Sequence, residues 1–141
     1  MTLISPDRSL TTQKRKLREL MHTRRMQMPH AAMMRASESV ALHFADHPIL
    51  AFAPSFAGYL AIRGEVDVKP VFQAMGRFGK QMALPTMTEQ KALKFRKWRP
   101  GDPLVRHHMG VEEPPNTAPA LIPAVVLVPL MAFDGDGYRL D

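Results

Sequence analysis

The 141-residue sequence contains no cysteine, which excludes a disulfide framework, cysteine-ligated zinc and a thiolate nucleophile. It contains no GxxxxGK[ST] and no GxGxxG after a strand, so both familiar glycine-rich phosphate cradles are missing. HExxH is absent too. His43 and His47 stand at i, i+4, but no acidic partner accompanies them and Pro48 follows at once. They read as surface histidines near a helix end. The adjacent His107 and His108 read as a loop pair. No apolar run suits a membrane span, because the longest, residues 118–133, is broken by Pro119, Pro123 and Pro129. The N-terminus lacks the apolar stretch of a signal peptide, so the expected location is cytoplasmic and no membrane partner is expected. There is no internal repeat and no low-complexity segment.

What is present is a globular composition, 45% hydrophobic and 23% charged, in a length that suits one domain over residues 1–141. The charge is unevenly placed. Residues 1–35 carry Arg8, Lys14, Arg15, Lys16, Arg18, Arg24, Arg25 and Arg35 against Asp7 and Glu19, and so hold the whole net charge of +6. The rest of the chain is neutral. This pattern indicates one anion-seeking segment on a neutral body, not a uniformly basic nucleic-acid wrapper.

Thr11 or Thr12 is a candidate N-cap for a helix running to about Met28, with Leu10, Leu17, Met21 and Met28 on one face. Pro29 ends it and can begin a second helix that reaches about Asp46, where Pro48 stops it. Phe56 to Ile62 is apolar without helical period, a buried strand delivering the polar loop Arg63-Gly64-Glu65. Lys69 to Phe78 suits a helix led by Pro70, with Gly79 as its C-cap glycine. Gln81 to Leu84 reads as a short strand closed by Pro85. Leu93 to Trp98 alternates as an edge or hairpin strand, and residues 99–103 form a turn. Ala124 to Val128 is the clearest buried strand. Helices alternating with short strands indicate an α/β fold of three layers, a mostly parallel sheet flanked by helices.

Two features suit chemistry. Lys14 and Arg18 lie side by side on a helix, so an ammonium and a guanidinium can reach one polyphosphate, although a cationic helix face is often merely solvated. Glu65 follows a strand, where α/β proteins bind ligands, although an acidic loop residue is commonplace.

Several segments then fall into a recognisable order: KRKLR at 14–18, GYLAIRGEVD at 58–67, GKQMALP at 79–85, WRPGDPL at 98–104, GVEEP at 110–114 and VVLVPLMAFDGDGYRL at 125–140. Together they resemble the 5-formyltetrahydrofolate cyclo-ligase (methenyltetrahydrofolate synthetase) family over nearly the whole chain. The resemblance implies ATP-dependent closure of 5-formyltetrahydrofolate to 5,10-methenyltetrahydrofolate, releasing ADP and phosphate, with Mg²⁺. By that resemblance Lys14, Arg18 and Arg139 contact ATP, and Glu65 and Leu60 contact the folate. Trp98, with Phe95, is a candidate aromatic wall for the pterin. Neither the metal ligands nor a catalytic residue is assigned. The implied protein is a monomer with a small-molecule substrate.

The sequence also departs from the family. There, the Arg-Leu at 139–140 is followed by a loop of the form GxGGGYYD, whose backbone cradles phosphate. Here Asp141 follows and the sequence stops, so the expectation is a domain incomplete at its C-terminal end, with weak ATP binding and little turnover. Ala124 stands where relatives usually carry an acidic residue. Two rival readings remain: a nucleic-acid-binding module using Arg24, Arg25 and Arg35 on the first helix, and a Mg²⁺-dependent phosphotransferase with another substrate class.

Overall fold

A computed structural model describes residues 7–90, 92–107 and 110–141. The chain begins with two helices, α1 (Asp7–Met26) and α2 (His30–Asp46). Between Asp7 and Met28 there is neither proline nor glycine, and Lys, Arg, Leu, Gln and Met all favour helix. The helix starts a turn before the expected cap. Thr12 lies inside it, with its hydroxyl donating to the carbonyl of Arg8 at 2.7 Å, the back-bonding available to a mid-helix threonine. Pro29 is the N-cap residue of α2, and His47 ends that helix. The imidazole Nδ1 of His47 then accepts from the amides of Ile49 and Leu50, which starts the short 3₁₀ turn Leu50–Phe52. The His43–His47 pair is thus an exposed helix-end feature, as its sequence suggested. His108 lies outside the described residues.

The strand β1 (Ser55–Ala57) is followed by an irregular segment, then α3 (Lys69–Gly76) and β2 (Gln81–Met87). The β1 strand is shorter than the apolar run Phe56–Ile62 suggested, because the chain leaves the sheet after Ala57. Pro85 does not close β2. It pairs with Phe95 inside an antiparallel hairpin with β3 (Leu93–Lys97). The amides of Trp98 and Thr88 donate to Met82 and Ala92. By alternation, Pro85 therefore occupies a non-hydrogen-bonded position, with its nitrogen turned towards the side that β1 has already left. Beyond this hairpin come the small pairs β4 (Val105–Arg106) with β5 (Glu112–Glu113), and β7 (Ala132–Phe133) with β8 (Arg139–Leu140). Between them lies β6 (Val125–Val126).

The main sheet has the order β3-β2-β1-β6. β1 pairs in parallel with both β2 and β6, whereas β2 and β3 run antiparallel. The expected mostly parallel sheet flanked by helices is present. β3 is an edge strand of this sheet and half of a hairpin, as its alternation suggested. Lys97 and Leu121 donate to Pro119 and Phe95, so residues 119–121 line the outer side of β3. β6 takes the other edge, and Val126 and Val128 are 42% and 45% exposed. The β-branched run that read as the most buried strand is therefore a partly open one.

Phe56 from β1 joins both helices on one face of the sheet. Its ring centroid lies 5.4 Å from Phe44 on α2 and 5.0 Å from Phe72 on α3. Val71, Met75, Met82 and Leu84 complete this core. Gly58, just past β1, is required by the packing. A Cβ there would overlap the Phe72 ring, 2.7 Å from its Cζ. The core is centred on α2 and α3. The apolar stripe of α1 is largely open, with Leu10 about half exposed and Leu17 40% exposed.

Candidate active site

The segment after β1 is folded into a tight frame around Glu65. Arg63 and Gly64 have φ of +50° and +74°, the left-handed pair that a type I′ turn needs at its centre. The amide of Glu65 donates to the carbonyl of Ile62 at 3.0 Å. The Glu65 carboxylate returns the contact, with Oε2 accepting from the amide of Ile62, also at 3.0 Å. One carboxylate oxygen is thus fixed by its own turn, which leaves Oε1 available to a ligand. On either side, Tyr59 donates its hydroxyl to the carbonyl of Val66 at 2.8 Å, and buried Ser37 accepts from the amide of Asp67 at 3.0 Å. Burial pushes the Tyr59 phenol up to about 12, and the negative charge of Glu65 adds to the shift. It stays a neutral donor.

Glu65 faces a cavity of about 560 Å³. Its wall is mostly apolar, formed by Met21 of α1, Met28 just past that helix, Met33 of α2, Val66, and the segment Val128–Met131. Polar groups are few: Tyr59, Gln27, Arg24, Arg25 and the carboxylate of Glu65. Such a cavity suits a largely apolar ligand held by a few polar contacts.

One helix connects this cavity to the cations that the sequence selected. At 3.6 residues per turn, Lys14, Arg18, Met21 and Arg25 fall within about 60° of the circumference of α1. Arg18 donates through Nε to the carbonyl of Asp141 at 2.6 Å. Arg139 meets the carboxylate of the same Asp141 at 3.3 Å. Arg18 and Arg139, separated by most of the sequence, are thus gathered at one residue. Lys14 lies one turn before Arg18, exposed and without an ion pair or hydrogen bond among the described residues.

The other predicted residues are divided between places. Leu60 and Trp98 line a separate cavity of about 300 Å³, together with Lys69 and Glu112. Trp98 is also core: only 5% exposed, it meets Phe72 edge-on at 5.4 Å and donates its indole N–H to the carbonyl of Asp102. Phe95 does not join it. That ring lines a separate groove against Ala120–Ile122 at the outer side of β3. Sequence reasoning missed Tyr59, read Met21 and Met28 only as an apolar helix face, and gave Arg25 only to the nucleic-acid alternative.

No group of three or more His, Asp or Glu among the described residues converges on a metal position. Asp141 is held by two arginines, and Asp134 accepts from the amides of Asp136 and Tyr138. These residues do not form a magnesium cage. Nor is any helix among the described residues long and apolar enough to cross a membrane.

Against this geometry, comparison with known proteins is decisive. The model of the 5-formyltetrahydrofolate cyclo-ligase family matches residues 10–141. The chain belongs to that family. It is similar to the 5-formyltetrahydrofolate cyclo-ligase of Escherichia coli K12, being 27% identical over 127 residues that cover 86% of this chain and 70% of that protein. Among solved structures it is similar to the 5,10-methenyltetrahydrofolate synthetase of Aquifex aeolicus, with a TM-score of 0.78 at 27% identity over 91% of this chain and 66% of that one. The 5,10-methenyltetrahydrofolate synthetase of Mycoplasma pneumoniae shares the fold, with a TM-score of 0.61 at 20% identity over 90% of this chain and 70% of that one. The chain therefore spans about two thirds of the length of these enzymes.

Proposed function

We propose that this cyclo-ligase family member binds 5-formyltetrahydrofolate and ATP and closes the folate to 5,10-methenyltetrahydrofolate, releasing ADP and phosphate in the cytoplasm. The observation that carries the reading is Glu65, the carboxylate of a mostly apolar cavity whose α1 wall continues towards Arg18 and Lys14. A carboxylate with one free oxygen accepts well from the N–H edge of a pterin. Clustered cations along the same helix suit a triphosphate.

The chemistry asks little more of the side chains. The formyl oxygen is a poor leaving group, so the γ-phosphoryl of ATP is transferred to it, breaking the bond to ADP. The neighbouring folate nitrogen attacks the activated carbon, and the former formyl oxygen departs with phosphate. Lys14, Arg18 and Arg139 would spread the charge that develops on the transferring group. Leu60 and Trp98, which line a separate cavity, would border a part of the folate that reaches beyond the Glu65 cavity. Mg²⁺ would shield the phosphates when bound with the nucleotide, and no residue of this chain is assigned to hold it. The twin arginines do not favour a nucleic-acid reading, because Arg25 is tied down by the carbonyl of Leu130.

The test is calorimetric titration with 5-formyltetrahydrofolate and with Mg²⁺·ATP separately, followed by absorbance of the methenyl product when both are present. Glu65→Gln should weaken folate binding about tenfold, the equivalent of about 1.4 kcal/mol, with ATP binding retained. Lys14→Ala and Arg18→Ala should do the reverse. Equal folate affinity in the wild type and Glu65→Gln would overturn the assignment of this cavity.

A further inference from the structure

Arg25 makes contacts in three directions. Its Cγ and Cδ cross Gly64 so closely that a Cβ on that glycine would sit 3.2 Å from each. Its guanidinium reaches the opposite wall of the cavity, where Nη2 donates to the carbonyl of Leu130 at 2.9 Å and lies 3.1 Å from the sulfur of Met131. Its backbone belongs to α1, the helix of Lys14 and Arg18. One side chain therefore joins the helix, the Glu65 turn and the Val128–Met131 segment.

The charges make this arrangement informative. Glu65 and Arg25 both bear on the Tyr59 phenol, in opposite directions, so both lie near it. Yet no ion pair between them exists among the described residues. An arginine beside a half-buried carboxylate ordinarily pairs with it. Here the guanidinium is committed to a backbone carbonyl, and the carboxylate to an amide of its own turn.

We infer that Arg25 is a positioning residue that braces the cavity while keeping its own charge off Glu65, so that Glu65 remains open to the ligand. The inference rests on the reading of Glu65 as the folate acceptor. Guanidinium suits the role because its planar fork is held by a fixed acceptor, whereas a lysine ammonium is a compact charge on a flexible stem. Placed at position 25, the ammonium would choose the stronger acceptor within reach, the Glu65 carboxylate, and would occupy the group the ligand needs.

This reverses the usual order of conservative substitution. In calorimetric titrations with 5-formyltetrahydrofolate, Arg25→Lys should weaken binding about tenfold, and Arg25→Met only about threefold, the difference set by one captured charge in a partly desolvated site. Raising the salt concentration should recover part of the loss in Arg25→Lys and none in Arg25→Met. Thermal unfolding of both variants reports bracing separately, since each loses the bond to Leu130. Adding Glu65→Gln removes the competing carboxylate, so Arg25→Lys should cost little further affinity in that background. A purely structural role predicts that Lys outperforms Met, and that result would overturn the inference. If Glu65→Gln alone binds folate as the wild type does, the reading of Glu65 fails first and this inference falls with it. If Glu65→Gln loses affinity while Arg25→Lys matches or exceeds Arg25→Met, only the role of Arg25 is lost.

Discussion

Tyr59 shows how single residues in this protein are tuned by position. Its hydroxyl closes the loop on itself through Val66, and burial holds the phenol near 12. Because that value is above the ordinary one of about 10, the folded state holds the proton more tightly than the unfolded chain. The contribution is complete below pH 10 and lost as pH rises towards 12. Tyr59→Phe should therefore flatten the alkaline arm of a urea-stability profile between those limits. An unchanged alkaline slope in the variant would assign the loss to other groups. At this scale the sequence was legible where local rules operate. Glu65 follows an apolar run and a glycine turn, a pattern with a known use. Arg25 was not legible, since its meaning depends on a carbonyl 105 residues away.

Among the elements, the helices were read nearly correctly because proline and periodicity mark their ends. The strands were read less well. Pro85 looked like a stop because nothing local reveals that its nitrogen faces a side with no partner strand. The run around Val125 looked buried because β-branched composition does not tell a central strand from an edge. The loop between β1 and α3 is hydrogen-bonded to α2 through the hydroxyl of Ser37, which accepts from the amide of Asp67. Ser37→Ala should destabilise the protein by about 1 kcal/mol, since a half-buried amide loses its hydroxyl acceptor. Ser39, exposed on the same helix, provides the control: its alanine variant should stay within about 0.5 kcal/mol of the wild type. Chemical denaturation of the two variants side by side measures the difference, and equal midpoints would show that water replaces the hydroxyl.

At the scale of the whole molecule, alternation of helices and strands was enough to indicate a mostly parallel α/β sheet, and the order β3-β2-β1-β6 was not. The position of β6 bears on folding kinetics. The β2–β3 hairpin closes locally, through Met87 and Leu93, but β1 meets β6 through residues about seventy apart, where ring-closure entropy delays contact formation. β6 should thus be the last strand to dock and the first to detach. Native-state hydrogen exchange can order these events. The amide of Leu127, bonded to Ala57, should exchange well before that of Trp98, bonded to Met82. Equal protection of the two would mean that the sheet opens as one cooperative unit. With the order expected, the Val128–Met131 wall of the cavity is attached through the least persistent strand of the sheet, so transient opening at that edge sets how fast a ligand enters and leaves.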